Sequence, residues 1–298
     1  MVDLSEQEIE GVRALLSAKE RPATLEARRA RLDDVASVDG VAPDIEFIPA
    51  EVAGCPAEWS LAPGSDATKV LLYFHGGGYS SGSIRSHRGM VSETGRAAGI
   101  RTLALAYRLA PENPFPAALD DAYAAFSFLL DQGIPANRIA IGGDSAGGGL
   151  SLALMIRLRD AGMPLPACAW LVSPWVDLEM TGASIETKAT VDPLISRVYL
   201  EGLAANYLAG KSALDPLVSP LHADLAGLPS VLVQVGTAET LLDDAVRIVE
   251  RFGSADVRAT LETWPHMIHA WPLWSKRLTS GRQAIDSAGT FIAGHLAL

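Results

Sequence analysis

The 298-residue chain has only two cysteines, Cys55 and Cys168, far apart and outside any Cys-x-x-Cys pair. That scarcity argues against a disulfide scaffold, a thiolate metal site or a dithiol redox centre. Cys168, in "ACAWLV", reads as a small apolar core residue. Long apolar runs are missing as well. None approaches the roughly 18 residues that span a bilayer. The opening "MVDLSEQEIE" is acidic and has no apolar core of a secretory signal. A cytoplasmic protein with no stable membrane association is therefore expected. Positive charge is also in short supply: 24 Lys and Arg stand against 35 Asp and Glu, a formal net charge of −11. Nucleic-acid binding depends on cationic side chains neutralising phosphates. Nucleic acid is thus excluded as a partner, and nothing attracts the chain to anionic lipid.

What is present suits a large core. Apolar residues make up 49% of the chain and charged residues 20%. Ser5 and Glu8 have capping-box spacing before a helix to about Ala18, and a second helix follows Thr24. "IEFIPAEV" and "AEWSLA" read as a hairpin. Short apolar runs then recur: "KVLLYF" (69–74), "RTLALAY" (101–107), "RIAIGG" (138–143), "ACAWLVS" (167–173), "SVLVQVG" (230–236) and "RATLETW" (258–264). Helical patterns fall between or after them near 86–98, 116–131, 145–161, 239–252 and 281–296. That alternation predicts an α/β fold, a mostly parallel sheet with helices on both faces. The fifty-odd residues between the runs at 167–173 and 230–236 break the rhythm. A connection that long is usually functional, such as a lid, and a helix is expected within it after Asp192-Pro193. Residues 1–42 and 177–226 are therefore expected to form a helical cap, and 43–176 and 227–298 the core.

Four segments carry chemistry. Gly143-Asp144-Ser145-Ala146-Gly147 is a G-x-S-x-G motif placed after a buried strand and opening an apolar helix, where a serine nucleophile is presented on a tight turn. "HGGGY" (75–79) ends an earlier strand. Its glycines let backbone N–H groups approach a ligand closely, as an oxyanion requires. The N–H groups of Gly76, Gly77 and Ala146 are the expected donors. His75 is expected to brace that loop. In this fold class the base follows the serine in the chain, which sets aside His75, His87 and His222. His295, near the end of the last helix, is poorly placed. "WPHMIHAW" leaves His266 and His269. "GTAETLLDDA" offers three acids after a strand: Glu239, Asp243 and Asp244. The last two suit the first turns of a helix. Tyr79, Asp144 and Trp175 are candidates to line a substrate pocket.

Taken together, "HGGGY", "YRLAPENPFPAALDDA" (107–122), "GDSAGG" (143–148), "SPWVDL" (173–178) and "MIHAW" (267–271) resemble the hormone-sensitive-lipase-like, bacterial family IV carboxylesterases of the α/β-hydrolase superfamily. The likeness covers nearly the whole chain. It implies an eight-stranded hydrolase sheet with a helical cap and a serine esterase acting on short- to medium-chain esters. No cofactor or metal is implied, the partner is a small-molecule ester, and a homodimer is the family-level guess for assembly. The M-x-H pattern falls on His269. Where many relatives carry the catalytic Asp, this chain has Glu239, which can also orient and stabilise an imidazolium. Asp243 matches a supporting acid. A lactone or amide substrate for the same triad, or a non-catalytic binding protein like the related plant hormone receptors, are the alternative readings. An apparently intact serine, acid and histidine set argues against the last.

Overall fold

Short apolar strands separated by amphipathic helices bury both kinds of surface when the strands lie side by side with helices on each face. The computed structural model, which describes residues 4–18 and 22–296, adopts that arrangement. Helices α1 (Leu4–Ser17) and α2 (Leu25–Ala36) precede an antiparallel hairpin of β1 (Glu46–Val52) and β2 (Cys55–Leu61). Next come β3 (Asp66–Phe74), α3 (Ile84–Ala98), β4 (Ile100–Leu105), α4 (Ala117–Asp131), β5 (Ile139–Asp144), α5 (Ala146–Asp160) and β6 (Cys168–Val172). The long connection contains α6 (Ser184–Thr187) and α7 (Arg197–Leu208). The chain closes with β7 (Ser230–Gly236), α8 (Leu242–Ser254), β8 (Ala259–Trp264) and α9 (Thr279–Leu296). The strand order is β1-β2-β4-β3-β5-β6-β7-β8. Pairs β1–β2 and β2–β4 are antiparallel and the rest parallel. This is the expected eight-stranded, mostly parallel sheet.

The continuous apolar runs follow from burial on both faces. On β3, Val70, Leu72 and Phe74 face a layer containing Phe126 and Leu129 of α4 and Leu150 and Leu154 of α5. Their neighbours Leu71 and Tyr73 face the opposite layer, with Met90 of α3, Trp170 of β6 and Ile285 and Ile292 of α9. Both cysteines are buried and unpaired. A buried glutamine on β7 is satisfied: Gln234 accepts from Trp170 Nε1 at 2.8 Å and donates to Glu262 and the Ala284 carbonyl. Among the described residues, no helix is long and apolar enough to cross a membrane.

Three helix starts differ from the sequence reading. The helix expected directly after Asp192-Pro193 begins at Arg197, where Ser196 accepts from Tyr199 N. Asp192 Oδ1 instead accepts the N–H groups of Leu194 and Ile195, both at 2.9 Å. A carboxylate that captures nearby N–H groups favours a turn over a helix. At the N-terminus, α1 starts at Leu4, and the Ser5 side chain lies outside the described residues. The expected partner, Glu8, accepts the N–H and hydroxyl of Thr279 at the start of α9. The helix expected from residue 239 begins at Leu242, which leaves Glu239 on a loop.

Phe126 is fully buried between α4 and the sheet. Phe126→Ala should cost about 3–5 kcal/mol of stability, read as a fall in the denaturant midpoint. A loss below about 1 kcal/mol would mean that α4 does not pack on the sheet as described.

Candidate active site

Strand β5 and helix α5 are joined by one residue, Ser145. Its backbone sits at φ 54°, ψ −122°, a conformation that costs an L-residue roughly 1–3 kcal/mol. The surroundings hold it there. Ser145 N donates to the Val172 carbonyl at 2.9 Å, and Trp175 N donates to the Ser145 carbonyl at 2.9 Å. The turn also requires a side-chain-free position: a Cβ on Gly147 would lie 2.0 Å from the Phe74 carbonyl oxygen. The result is a serine at the tip of the sheet, over the N-terminus of α5.

His269 lies on the loop after β8, and Glu239 on the loop after β7. Both are buried, with His269 Nδ1 3.9 Å from Glu239 Oε2. That distance is ion-pair range and longer than a hydrogen bond. Catalytic hydrogen bonds are often long before substrate binds. Ser173 connects the two loops: its hydroxyl donates to Glu239 Oε2 at 2.7 Å and accepts the Ala270 N–H at 3.1 Å. Burial pushes the His269 pKa down, opposed by the charges of Asp192 and Asp144, so the resting imidazole is neutral and able to take a proton. Burial pushes Glu239 well up, opposed by the Ser173 hydrogen bond, while the charges of Asp192 and Asp244 add to the rise. A proton gained by His269 favours the ionised form of the acid it faces.

The other two acids, Asp243 and Asp244 on the first turn of α8, have different partners. Asp243 accepts the Ser184 N–H, and Asp244 accepts those of Val176 and Asp177. Both tie α8 to the segment after β6. His266 is exposed and 3.4 Å from Glu6. Asp192, not singled out from sequence as a site residue, lies beside the candidate acid: its Oδ2 accepts the Thr240 N–H at 2.8 Å and hydroxyl at 3.1 Å. Ser173 was likewise missed. The "SPWVDL" block was its only signal.

The glycine loop after β3 does not match the sequence reading in full. Gly76 N donates to Asp144 Oδ1 at 2.9 Å and lies 3.3 Å from His87 Nε2. This N–H is occupied, so Gly76 is not a free oxyanion donor. Gly77 and Gly78 line the cavity in front of Ser145 instead. Among the described residues, no carbonyl accepts from the N–H of Gly77, Gly78 or Ala146. Gly77 has φ 113°, and a Cβ there would fall 2.3 Å from the Ser81 carbonyl oxygen. Tyr107 and Arg108 explain the motif at 107–122. Tyr107 donates to the His75 carbonyl at 2.7 Å and stacks on the His75 ring, while Arg108 grips Asp121. His75 braces the loop, as expected.

The cavity measures about 330 Å³. Ser145, His269, Asp144 and Trp175 line it, along with side chains from α2 and α7. Tyr79 does not: it is buried, stacked on Tyr207 with ring centres 3.7 Å apart. The Asp144 carboxylate is occupied by the protein's own donors, receiving Tyr73 OH at 2.8 Å in addition to Gly76 N and His87. Burial alone would raise its pKa. The charge and hydrogen bond of His87 and the hydrogen bond of Tyr73 outweigh that and lower it.

A model of the α/β hydrolase fold family matches residues 71–273. Over 241 residues the chain is 47% identical to an acetyl-hydrolase of Streptomyces hygroscopicus, covering 81% of this chain and 80% of that one. It is 34% identical over 266 residues to an esterase of Acinetobacter venetianus, covering 89% and 88%. The crystal structure of an esterase from the bacterial hormone-sensitive lipase family superposes with a TM-score of 0.96 at 45% identity, over 99% of this chain and all of the other. The chain belongs to the hormone-sensitive-lipase-like esterases of the α/β-hydrolase fold. In this hydrolase the glycine loop has a pH signature. Burial, with the neighbouring His87 charge, lowers the His75 pKa from the ordinary 6.5 to about 4. The folded state thus binds fewer protons than the unfolded chain between those values. The His75 contribution to stability is complete above about pH 6.5 and should fall by about 3 kcal/mol as pH drops to about 4. His75→Gln should flatten that part of the denaturation profile. An unchanged slope would show that His75 is not the group responsible.

Proposed function

We propose that the chain hydrolyses carboxylic esters through an acyl-enzyme on Ser145, with His269 as base and Glu239 as the acid behind it. The observation that carries the reading is the strained Ser145 turn and buried His269 lining one cavity, with Glu239 Oε2 3.9 Å from the histidine Nδ1. His269 takes the Ser145 proton as Oγ attacks the ester carbonyl. The carbonyl oxygen gains negative charge and receives the N–H groups of Gly77, Gly78 and Ala146. Each such donor is worth about 3–4 kcal/mol of barrier. The alcohol leaves with the proton from His269. Water, deprotonated by the same imidazole, then attacks the acyl-serine and releases the acid. Glu239 supports the imidazolium through both halves.

Residues 1–42 and 177–226 act as the cap. Lining side chains from α2 and from Pro193 to Leu203 support this assignment, because they share one cavity with Ser145. An apolar cavity of about 330 Å³ is near the lower limit for small-molecule sites and suits short to medium acyl chains.

Hydrolysis of p-nitrophenyl esters from acetate to palmitate is the direct test. Turnover should peak at the short end, and Ser145→Ala and His269→Ala should each lose at least 10³-fold in kcat. Glu239→Ala should lose orders of magnitude, whereas Asp243→Ala should act on stability and His266→Ala should stay active. Absence of turnover by the wild type would overturn the reading. Full activity in Glu239→Ala would overturn the choice of acid.

A further inference from the structure

Charge is unevenly distributed around the cavity. Leaving histidines aside, three lining side chains are acids or strong bases: Asp144 at the Ser145 end, and Arg28 and Arg31 on α2. The Asp144 charge is met by His87, Tyr73 OH and Gly76 N. Arg31 donates to the Leu16 carbonyl and has further partners. Arg28 differs from both. Its Nε donates to the Pro22 carbonyl at 2.9 Å and its Nη2 to the Ala23 carbonyl at 3.1 Å, with the guanidinium 5.8 Å from the Tyr199 ring centre. These contacts fix the plane of the group but use only two of its five N–H donors, both on neutral acceptors. Among the described residues, no carboxylate lies within ion-pairing reach of Arg28, whereas its neighbour Arg29 forms a two-pronged pair with Glu112.

A guanidinium keeps its charge at any working pH. Its fork matches a carboxylate. We propose that the enzyme prefers esters that end in a carboxylate, with Arg28 binding the remote carboxylate while the ester carbonyl sits at Ser145. Arg28 is then a specificity residue that takes no part in bond making. Hydrolysis consumes one water and releases an acid and an alcohol, one of them carrying the untouched carboxylate. The proposal rests on Ser145 as nucleophile. A chain of net charge −11 does not draw anions from a distance, so the preference should appear in KM.

The test compares monoethyl half-esters of four- to eight-carbon diacids with ethyl alkanoates of equal length, by pH-stat titration. A parallel series compares acetates of ω-hydroxy acids with alkyl acetates. Within each protein the acid-to-neutral ratio of kcat/KM is the readout, so loss of folded enzyme cancels. In one series the ratio should peak at an intermediate length. Arg28→Gln should lower that peak about tenfold, chiefly through KM, and Arg28→Lys should retain most of it. A ratio flat with length in both series, or a peak that Arg28→Gln leaves in place, overturns the proposal. Wild-type turnover of ethyl butyrate separates the two readings. If it is absent, the esterase reading itself fails. If it is present without an Arg28-dependent peak, only the carboxylate preference fails.

Discussion

One buried carboxylate connects the separate parts of the site. Asp144 is the last residue of β5, next to Ser145, and its oxygens receive Gly76 N, Tyr73 OH and His87 Nε2. The serine turn, the glycine loop and α3 are therefore fixed to one another by a single charged group. Buried and fully partnered, such a group holds its neighbours rigidly. Removing it would strand three buried polar atoms. The close contact of Gly147 with the Phe74 carbonyl fixes the same parts sterically.

The acid side is arranged on the same plan, with loops held by side chains from other segments. Ser173 joins the Glu239 and His269 loops. Asp192 ties Thr240 to Leu194 and Ile195, which face the cavity, so the covering segment and the loop of the acid share one anchor. Glutamate reaches one methylene farther than aspartate, and this loop accommodates it without a helix beginning beneath it. The helix starts only at Leu242.

Much of this was legible in the sequence because it depends on local rules. Apolar runs buried on both sides mark the strands, and a glycine-flanked serine between strand and helix marks the turn. The order of serine and histidine along the chain, with the poor placement of His295 at the end of the last helix, narrowed the bases to two. What stayed hidden depends on tertiary geometry. Gly76 and Gly78 are equivalent as letters in "HGGG". Only the position of the Asp144 oxygen decides which N–H is occupied. Tyr79 looks like a pocket residue until Tyr207 stacks on it. Asp192 reads as the start of a helix, because its bond to Thr240 crosses 48 positions of sequence. The role of Ser173 is hidden for the same reason, since its bonds to Glu239 and Ala270 cross 66 and 97 positions.

The central claim is that the strained backbone at Ser145 presents a nucleophile activated by a buried histidine. Covalent trapping tests it most directly: treatment with diethyl p-nitrophenyl phosphate, followed by mass spectrometry of the intact chain and its peptides. A single diethylphosphoryl adduct should form, located on the peptide bearing Ser145, with loss of activity in proportion and much slower labelling of His269→Ala. An adduct at another residue, or full labelling of Ser145 with esterase activity intact, would contradict it.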